Sequence, residues 1–272
     1  MIQALIDIFS YPFLLRALIV GGLVALCASL LGVSLVLKRY SMIGDGLSHV
    51  GFGAMAVATV MNMAPLAVAI PVCIVTAFLL LRMSEKTTMG GDAGIAVVSS
   101  GALAVGVMVI SMTTGVNTDI YNYMFGSILA LDKADTVMSC VLSVIVIVVY
   151  ILFYNRIFAV TFDETFSKAT GIKTNIYNMI LAVLTAVTVV LGMRMMGALL
   201  ISSLIIFPSM TSMKLCKTYK KVIIVSAIVS VLCFVTGLVV SYCFAAPTGA
   251  SIVVANIIVL MFASVFSHIK KA

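Results

Sequence analysis

Long apolar segments, separated by short breaks that contain polar residues, glycine or proline, make up most of this chain. A helix needs about 20 apolar residues to cross roughly 30 Å of membrane hydrocarbon, and many of the segments reach that length. A membrane strand would alternate apolar and polar residues over about 10 positions, whereas residues 141–152 are apolar almost throughout. The pattern therefore predicts an all-α membrane protein with about nine spans. The predicted spans are residues 14–37, 41–61, 65–82, 93–112, 136–154, 176–193, 197–213, 222–244 and 249–268.

The composition agrees with this pattern and excludes a water-soluble protein. Of the 272 residues, 63% are hydrophobic and 9% are charged, and the mean hydropathy is +1.29. Soluble domains typically contain about 25% charged residues. We therefore interpret residues 1–272 as a single transmembrane domain in contact with lipid. The net charge of +7 comes from 16 basic and 9 acidic residues, which are too few and too dispersed to form a nucleic-acid-binding surface.

Basic residues fall at every second boundary between the predicted spans. Cytoplasmic loops of membrane proteins carry an excess of Lys and Arg. The alternation therefore predicts a multi-pass membrane protein with its N-terminus outside and its C-terminus in the cytoplasm. The opposite boundaries contain only Lys133 and Arg194. The basic boundaries contain Lys38 with Arg39, Arg82 with Lys86, Arg156 with Lys168 and Lys173, Lys214 with Lys217, Lys220 and Lys221, and Lys270 with Lys271.

One connection, residues 113–135, is too polar to be a span and too apolar to be an ordinary loop. It contains an apolar piece of about 10 residues flanked by Asn117, Asp119 and Asp132. Such a piece is too short to cross a membrane and is typical of a re-entrant or interfacial helix. We predict a short helix of that kind here.

A second connection, residues 155–173, differs from the other cytoplasmic ones. It contains the adjacent acids Asp163 and Glu164, and Thr161 stands three residues before Glu164, which is the spacing of a capping box. Gly171 is placed to end the short helix that would follow. We predict a compact helix at the membrane surface. The alternative is a solvated connector without a role of its own.

Asp45 and His49 lie in the segment GDGLSHVGFGA, inside an otherwise apolar region. Ionisable groups at membrane depth cost roughly 2.5 kcal/mol or more, so they are functional candidates. Their i,i+4 spacing places a carboxylate and an imidazole on one face of a helix. Together they suit a divalent cation such as zinc or manganese. Alternatively, Asp45 caps the helix just inside the cytoplasm and His49 is a packing residue.

The same region is rich in glycine. Residues without a side chain expose the backbone, loosen a helix and allow neighbouring helices to approach closely. A later apolar segment contains Pro208, which we expect to kink its helix while Ser or Thr hydroxyl groups bond the carbonyl that it frees. The glycines expected to support packing and flexibility are Gly44, Gly46, Gly51 and Gly53.

The sequence contains none of the common catalytic motifs. No GxxxxGK[ST] phosphate loop is present, so any ATP must be bound and hydrolysed by a partner. The two histidines, His49 and His268, do not form the HExxH motif of a zinc protease. We therefore predict no catalytic residue and no permanently bound cofactor.

Six segments of the chain, in order and spacing, resemble the metal-uptake ABC permeases, a family that includes zinc and manganese importers. They extend over nearly the whole chain. The segments are SMIGDGLSHVGFGAMA (41–56), GDAGIAVVSSGALAVGV (91–107), YMFGSILAL (123–131), DETFSKATGI (163–172), MMGALLISSLIIFPSMTSM (195–213) and PTGASIVV (247–254).

This resemblance implies an ABC importer permease architecture and a set of partners. The permease would work as a homodimer with two cytoplasmic ATPase subunits and an extracytoplasmic metal-binding protein. Asp45 and His49 match the acidic and histidine positions of the family motif GDxLSH and would line the cation path. Residues 163–172 match the coupling helix, within a coupling segment at about 155–175. The residues expected to couple to the ATPase are Asp163, Glu164, Ala169 and Gly171, of which the last two would pack closely against it. The resemblance also implies a bacterial cytoplasmic membrane.

The stretches RMMGALLISSLIIFP and VNTDIYNYMFGS look more like the zinc members of this family than the manganese members. The transported divalent cation is therefore expected to be zinc. Manganese or iron is the alternative within the family, because a carboxylate and an imidazole serve several of these ions. Two rival functions stay open beside these: a permease for chelated metal or a corrinoid, and a stand-alone secondary transporter or channel.

Overall fold

The computed structural model describes residues 12–86, 91–113 and 133–269, and within these ranges it consists of eleven α-helices without a β-strand. The predicted all-α class is therefore confirmed for the described residues. The helices are α1 (Pro12–Leu37), α2 (Ile43–Val60), α3 (Pro65–Lys86), α4 (Gly91–Ser111), α5 (Lys133–Leu152), α6 (Tyr154–Phe162), α7 (Glu164–Ala169), α8 (Thr174–Met196), α9 (Ala198–Leu215), α10 (Tyr219–Phe244) and α11 (Thr248–Ile269).

Each of the nine predicted spans coincides with one of these helices, but not every helix is long and apolar enough by itself to be a membrane span. Seven of the described helices are long and apolar enough to cross a membrane by themselves. The helices α5 and α6 are bent by 68° at Phe153, and if they count as one span the number is eight. Helix α2 is a continuous helix whose GDGLSH stretch makes it more polar. The count of nine crossings therefore stays a prediction. Most of the predicted re-entrant segment at 113–135 lies outside the described residues.

The helices form two groups that meet along α8. Helix α2 packs against α3 and α4, while α9 and α10 pack against each other and each of them packs against α1 and α11. Helix α8 contacts α1, α2, α3 and α9. In the most apolar stretch of α8, 72% of the residues are buried. The corresponding fraction in α4 is 17%, so the apolar surface of α4 lies at the periphery. The N-terminal half of α2 also contacts α9, so it lies where the two groups join.

Two glycines with positive φ mark the ends of helices near the sites described below. Gly197 has φ +86° and separates α8 from α9. Gly171 has φ +82° and follows α7. Glycine adopts this region without the steric cost that a Cβ adds, so each position allows a sharp change of direction between two helices.

Candidate functional site

Asp45 and His49 lie one turn apart at the start of α2. The distance from His49 Nε2 to Asp45 Oδ2 is 3.7 Å, and the two side chains are 27% and 39% exposed, respectively. That separation is too long for a direct hydrogen bond. Two ligands of a tetrahedral zinc ion, each at 2.0–2.2 Å, would stand about 3.3–3.6 Å apart. A small side-chain adjustment would therefore let both atoms contact one cation.

A third polar side chain reaches this pair from another helix. Ser202, in the second turn of α9, has a hydroxyl group that donates to Asp45 Oδ1 at 3.2 Å and shares its proton with the carbonyl oxygen of Ala198 at 3.3 Å. Ser48, by contrast, donates to the backbone oxygen of Asp45 at 2.7 Å and so points along α2. Ser202 was not predicted from the sequence. Its position inside the matched segment MMGALLISSLIIFPSMTSM was the one signal that could have indicated it.

The three polar groups do not form a closed ligand set. Among the described residues, the structure brings together no group of three or more His, Cys, Asp or Glu side chains. The described part of one chain therefore offers an oxygen and a nitrogen donor, with a serine hydroxyl beside them. A partial set of this kind would allow a cation to be contacted and released, as transport requires.

The four glycines of α2 face three neighbouring helices at short distances. A Cβ added at Gly44 would lie 2.8 Å from Ile205 Cδ1 in α9, and one at Gly51 would lie 2.7 Å from Met193 Cε in α8. The other two glycines face α4. A Cβ added at Gly46 would lie 2.6 Å from Ile95 Cγ2, and one added at Gly53 would lie 2.6 Å from Ala102 O. The contact at Gly53 is with backbone, which cannot move aside alone.

Pro208 is buried within α9, which continues through it from Ala198 to Leu215. Ser209, the next residue, donates its hydroxyl to the carbonyl oxygen of Ile205 at 2.9 Å, and Ser203 donates to that of Leu200 at 2.8 Å. Both of these carbonyls precede Pro208, and neither is that of Leu204, which lies four residues before the proline and is the one that the proline frees. The predicted bond from a hydroxyl group to the freed carbonyl therefore stays a prediction. The predicted kink at Pro208 stays a prediction.

The predicted surface helix is present as α7, but Asp163 caps it. Asp163 has an extended backbone, and its carboxylate Oδ1 accepts a hydrogen bond from the backbone N–H of Phe166 at 2.8 Å. Thr161 belongs to the last turn of α6, and its hydroxyl has no hydrogen-bond partner among the described residues. The predicted capping box at Thr161 is therefore wrong. Thr161 and Phe162 are still part of α6, so the N-cap position of α7 falls at Asp163 instead.

Helix α7 ends where the glycine signal indicated, and its outer side is exposed. The last helical residue is Ala169, which is exposed, and Gly171 follows with open space around the position of a Cβ. Phe162 and Phe166 are also exposed, at the end of α6 and within α7. This apolar outer side is suited to contact with another protein.

Glu164, on the inner side of α7, binds three side chains. Its Oε1 lies 2.8 Å from Lys168 Nζ, and its Oε2 accepts from Lys38 Nζ at 3.3 Å and from Asn178 Nδ2 at 3.4 Å. Burial by itself raises the pKa of Glu164. The hydrogen bonds and charges of Lys168, Lys38 and Asn178 outweigh it, so the pKa lies below its ordinary value. Glu164 is therefore ionised at neutral pH.

Comparison with known proteins gives matches over almost the whole chain. A model of the ABC 3 transport family matches residues 10–267. The high-affinity zinc uptake system membrane protein ZnuB of Haemophilus influenzae is 26% identical over 246 residues, which cover 90% of this chain and 94% of that protein. The manganese import system permease protein ScaB of Streptococcus gordonii is 27% identical over 262 residues, which cover 96% of this chain and 94% of that protein.

A solved structure, PsaBC from Streptococcus pneumoniae in complex with Fab, shares the fold. It aligns with a TM-score of 0.87 at 26% identity and covers 97% of this chain and 95% of that chain. These matches confirm the resemblance to metal-uptake ABC permeases that the six segments indicated. With at least seven apolar helices of spanning length among the described residues, the chain is a multi-pass membrane protein. The orientation of its termini stays a prediction.

Proposed function

The chain belongs to the ABC 3 transport family, and on that premise we propose that it is the membrane permease of an ATP-driven importer of divalent metal ions, with zinc as the first candidate. It is a transport subunit, and ATP hydrolysis belongs to a separate subunit. The observation that carries the proposal is the pair Asp45 and His49. Its oxygen and nitrogen donors lie 3.7 Å apart in the half-buried first turns of α2, at the junction with α9.

Zinc is proposed first because two stretches of the sequence look most like zinc permeases and because the zinc uptake protein ZnuB is among the most similar relatives. Manganese is the second candidate, since ScaB is named for manganese import and is similar to the same degree. Iron is the third, within the same family. The ligand chemistry does not separate these ions, because Asp and His serve all of them.

In the proposed cycle, an external binding protein delivers the ion to two copies of this chain, which enclose the path between them. Residues 1–272 form one permease domain of nine spans, with the N-terminus outside and the C-terminus in the cytoplasm. Asp45 and His49 contact the ion briefly. Two cytoplasmic ATPases contact α7, including Ala169 and Gly171, and their closure on ATP moves that helix. The open ligand set supports brief contact over storage.

The cargo can be tested in the complete transporter. The permease, its ATPase subunit and its binding protein would be reconstituted in liposomes, with the binding protein loaded separately with zinc, manganese or iron. We expect zinc to stimulate both ATP hydrolysis and metal accumulation most strongly. If only manganese stimulated ATP hydrolysis and accumulation, manganese and not zinc would be the cargo. Metal accumulation by the permease without the ATPase would contradict the ABC mechanism.

The cation path can be tested with substitutions at the pair. In the same liposomes, Asp45→Ala and His49→Ala should each reduce metal uptake by at least about tenfold, since each removes one of two ligands. His268→Ala is the matched control, because His268 is the other histidine of the chain and lies at the end of α11. Normal uptake by the Asp45→Ala, His49→Ala double variant would remove both residues from the path.

A further inference from the structure

Lys38, directly after α1, is a charged residue that the proposed cation path does not use. Its side chain is only 7% exposed. A buried ammonium group costs several kcal/mol unless charged or polar partners replace its water. Here Lys38 Nζ donates to Glu164 Oε2 of α7 at 3.3 Å and to Asn178 Oδ1 of α8. Its charge is therefore balanced by side chains from two other helices.

The three side chains form a closed triangle, since Asn178 also donates to Glu164 Oε2 at 3.4 Å. Asn178 is itself buried, whereas Glu164 is 29% exposed and is covered on its outer side by Lys168 of α7. Removing one partner of such a group leaves the others unpaired and desolvated, so the three act as a unit. The triangle thus connects the end of α1 to α7 and to the start of α8.

A short and tightly bonded turn leads from Lys38 to Asp45. The backbone N–H of Tyr40 donates to Leu35 O at 2.8 Å, and Arg39 has φ +62°, which together close the end of α1 in a Schellman-type turn. Helix α2 begins three residues after Tyr40 and contains Asp45 in its first turn. A displacement of Lys38 is therefore carried to Asp45 without a flexible loop between them.

A second set of contacts fastens α6 to the same end of α1. Ser34, one turn before Lys38, shares a hydrogen bond with Tyr219 at 2.9 Å between the two hydroxyl oxygens. The ring of Tyr219 packs against Phe158 and Tyr154 of α6, with centroids 4.8 Å and 5.8 Å apart. Helix α7 is thus bonded to the end of α1 directly, and α6 is connected to it through Tyr219 of α10.

We propose that Lys38 is the residue that transmits movement of α7 to the cation contact. When an ATPase displaces α7, Glu164 carries Lys38 with it, and the following turn shifts Asp45 relative to Ser202 of α9. Lys38 is a positioning residue, because it contacts no cargo. This inference rests on the proposed function and adds to it the route by which α7 and Asp45 are coupled.

The test measures metal moved per ATP hydrolysed by the complete transporter in liposomes, with zinc-loaded and manganese-loaded binding protein as probes. Lys38→Met keeps an unbranched side chain of similar length and removes the charge. We expect ATP hydrolysis to continue while the metal-to-ATP ratio falls by about fivefold or more. Lys221→Met is the matched control, since Lys221 is an exposed lysine at the start of α10, and its ratio should equal that of the wild type.

Glu164→Gln should lower the ratio as Lys38→Met does, and the double variant should be no worse than either single variant, because both break one interaction. If Lys38→Met does not assemble, Glu164→Gln decides the question. An unchanged ratio in the assembled variants, or additive losses in the double variant, would overturn the role of Lys38. If the wild type moves none of zinc, manganese and iron in the cargo test described above, the proposed function itself fails, which is a different outcome.

Discussion

Asp45 in α2 and Glu164 in α7 are both partly buried carboxylates, but their oxygens are used differently. In Asp45, Oδ1 accepts one hydrogen bond from Ser202, and Oδ2 faces His49 at 3.7 Å. In Glu164, both oxygens lie within hydrogen-bond distance of side-chain donors. The first carboxylate retains an oxygen that a cation could use. The second is saturated by protein donors.

The surroundings of the two carboxylates differ in the same way. The start of α2 is held in place by close packing, because its glycines let α4, α8 and α9 approach its backbone. Helix α7 has six residues and is fixed by charge, through Glu164, Lys38 and Asn178. The difference teaches that polar partners can fix a short helix in place, while apolar packing can fix a helix and leave its carboxylate oxygens available.

The largest expected effect tests packing by shape at α2. Gly53→Ala places a Cβ 2.6 Å from Ala102 O, so α2 and α4 must separate. We expect a loss of about 1–3 kcal/mol, visible as a lower unfolding temperature by circular dichroism in detergent. Gly101→Ala in α4 is the control, because its Cβ would meet nothing within 4 Å. Equal unfolding temperatures for the two variants would contradict close packing at Gly53.

A smaller effect is expected from the hydrogen bond that aligns Asp45. Ser202→Ala should lower the rate of metal uptake by about twofold to tenfold, which corresponds to the net value of one hydrogen bond. Binding of the ATPase should not change. Ser203→Ala is the matched control, since the Ser203 hydroxyl donates to Leu200 O within its own helix. A loss of uptake that is the same for both variants would show that Ser202 does not act through Asp45.

The smallest effect separates the two possible caps of α7. Asp163→Ala should destabilise this helix by about 1 kcal/mol, because Asp163 supplies its N-cap hydrogen bond. Hydrogen exchange at Phe166 should become correspondingly faster. Thr161→Ala should leave that exchange rate unchanged, because the Thr161 hydroxyl makes no cap contact. If hydrogen exchange at Phe166 became faster only in the Thr161→Ala variant, Thr161 and not Asp163 would be the cap of α7.

Much of the fold could be predicted from the sequence, because hydrophobic segments of membrane length form helices almost regardless of their neighbours. All nine predicted segments coincide with helices. The short helix α7 was also predicted, since its acidic start and Gly171 are adjacent in the chain. Its cap was not, because α6 extended through Thr161. The bend of 68° between α5 and α6 falls where the predicted span 136–154 ends, but the pattern indicated neither the angle nor helix α6.

The candidate site also contains residues that could be predicted from the sequence and residues that could not. Asp45 and His49 could be predicted as a pair because an α-helix places residues four apart on one face, whatever surrounds it. Ser202 could not be placed beside them, since 157 residues separate it from Asp45. Lys38 was interpreted only as a topology signal, and its partner Glu164 lies 126 residues away.

The sequence by itself determined the helices, the Asp45 and His49 pair and the family, all of which depend on local geometry and on ordered segments of the chain. Only the tertiary structure decided which oxygen of Asp45 meets Ser202 and which helices Lys38 connects. The physical reason is that contacts between helices depend on the packing of whole faces, including where glycine allows two backbones to approach. No single stretch of residues specifies that packing.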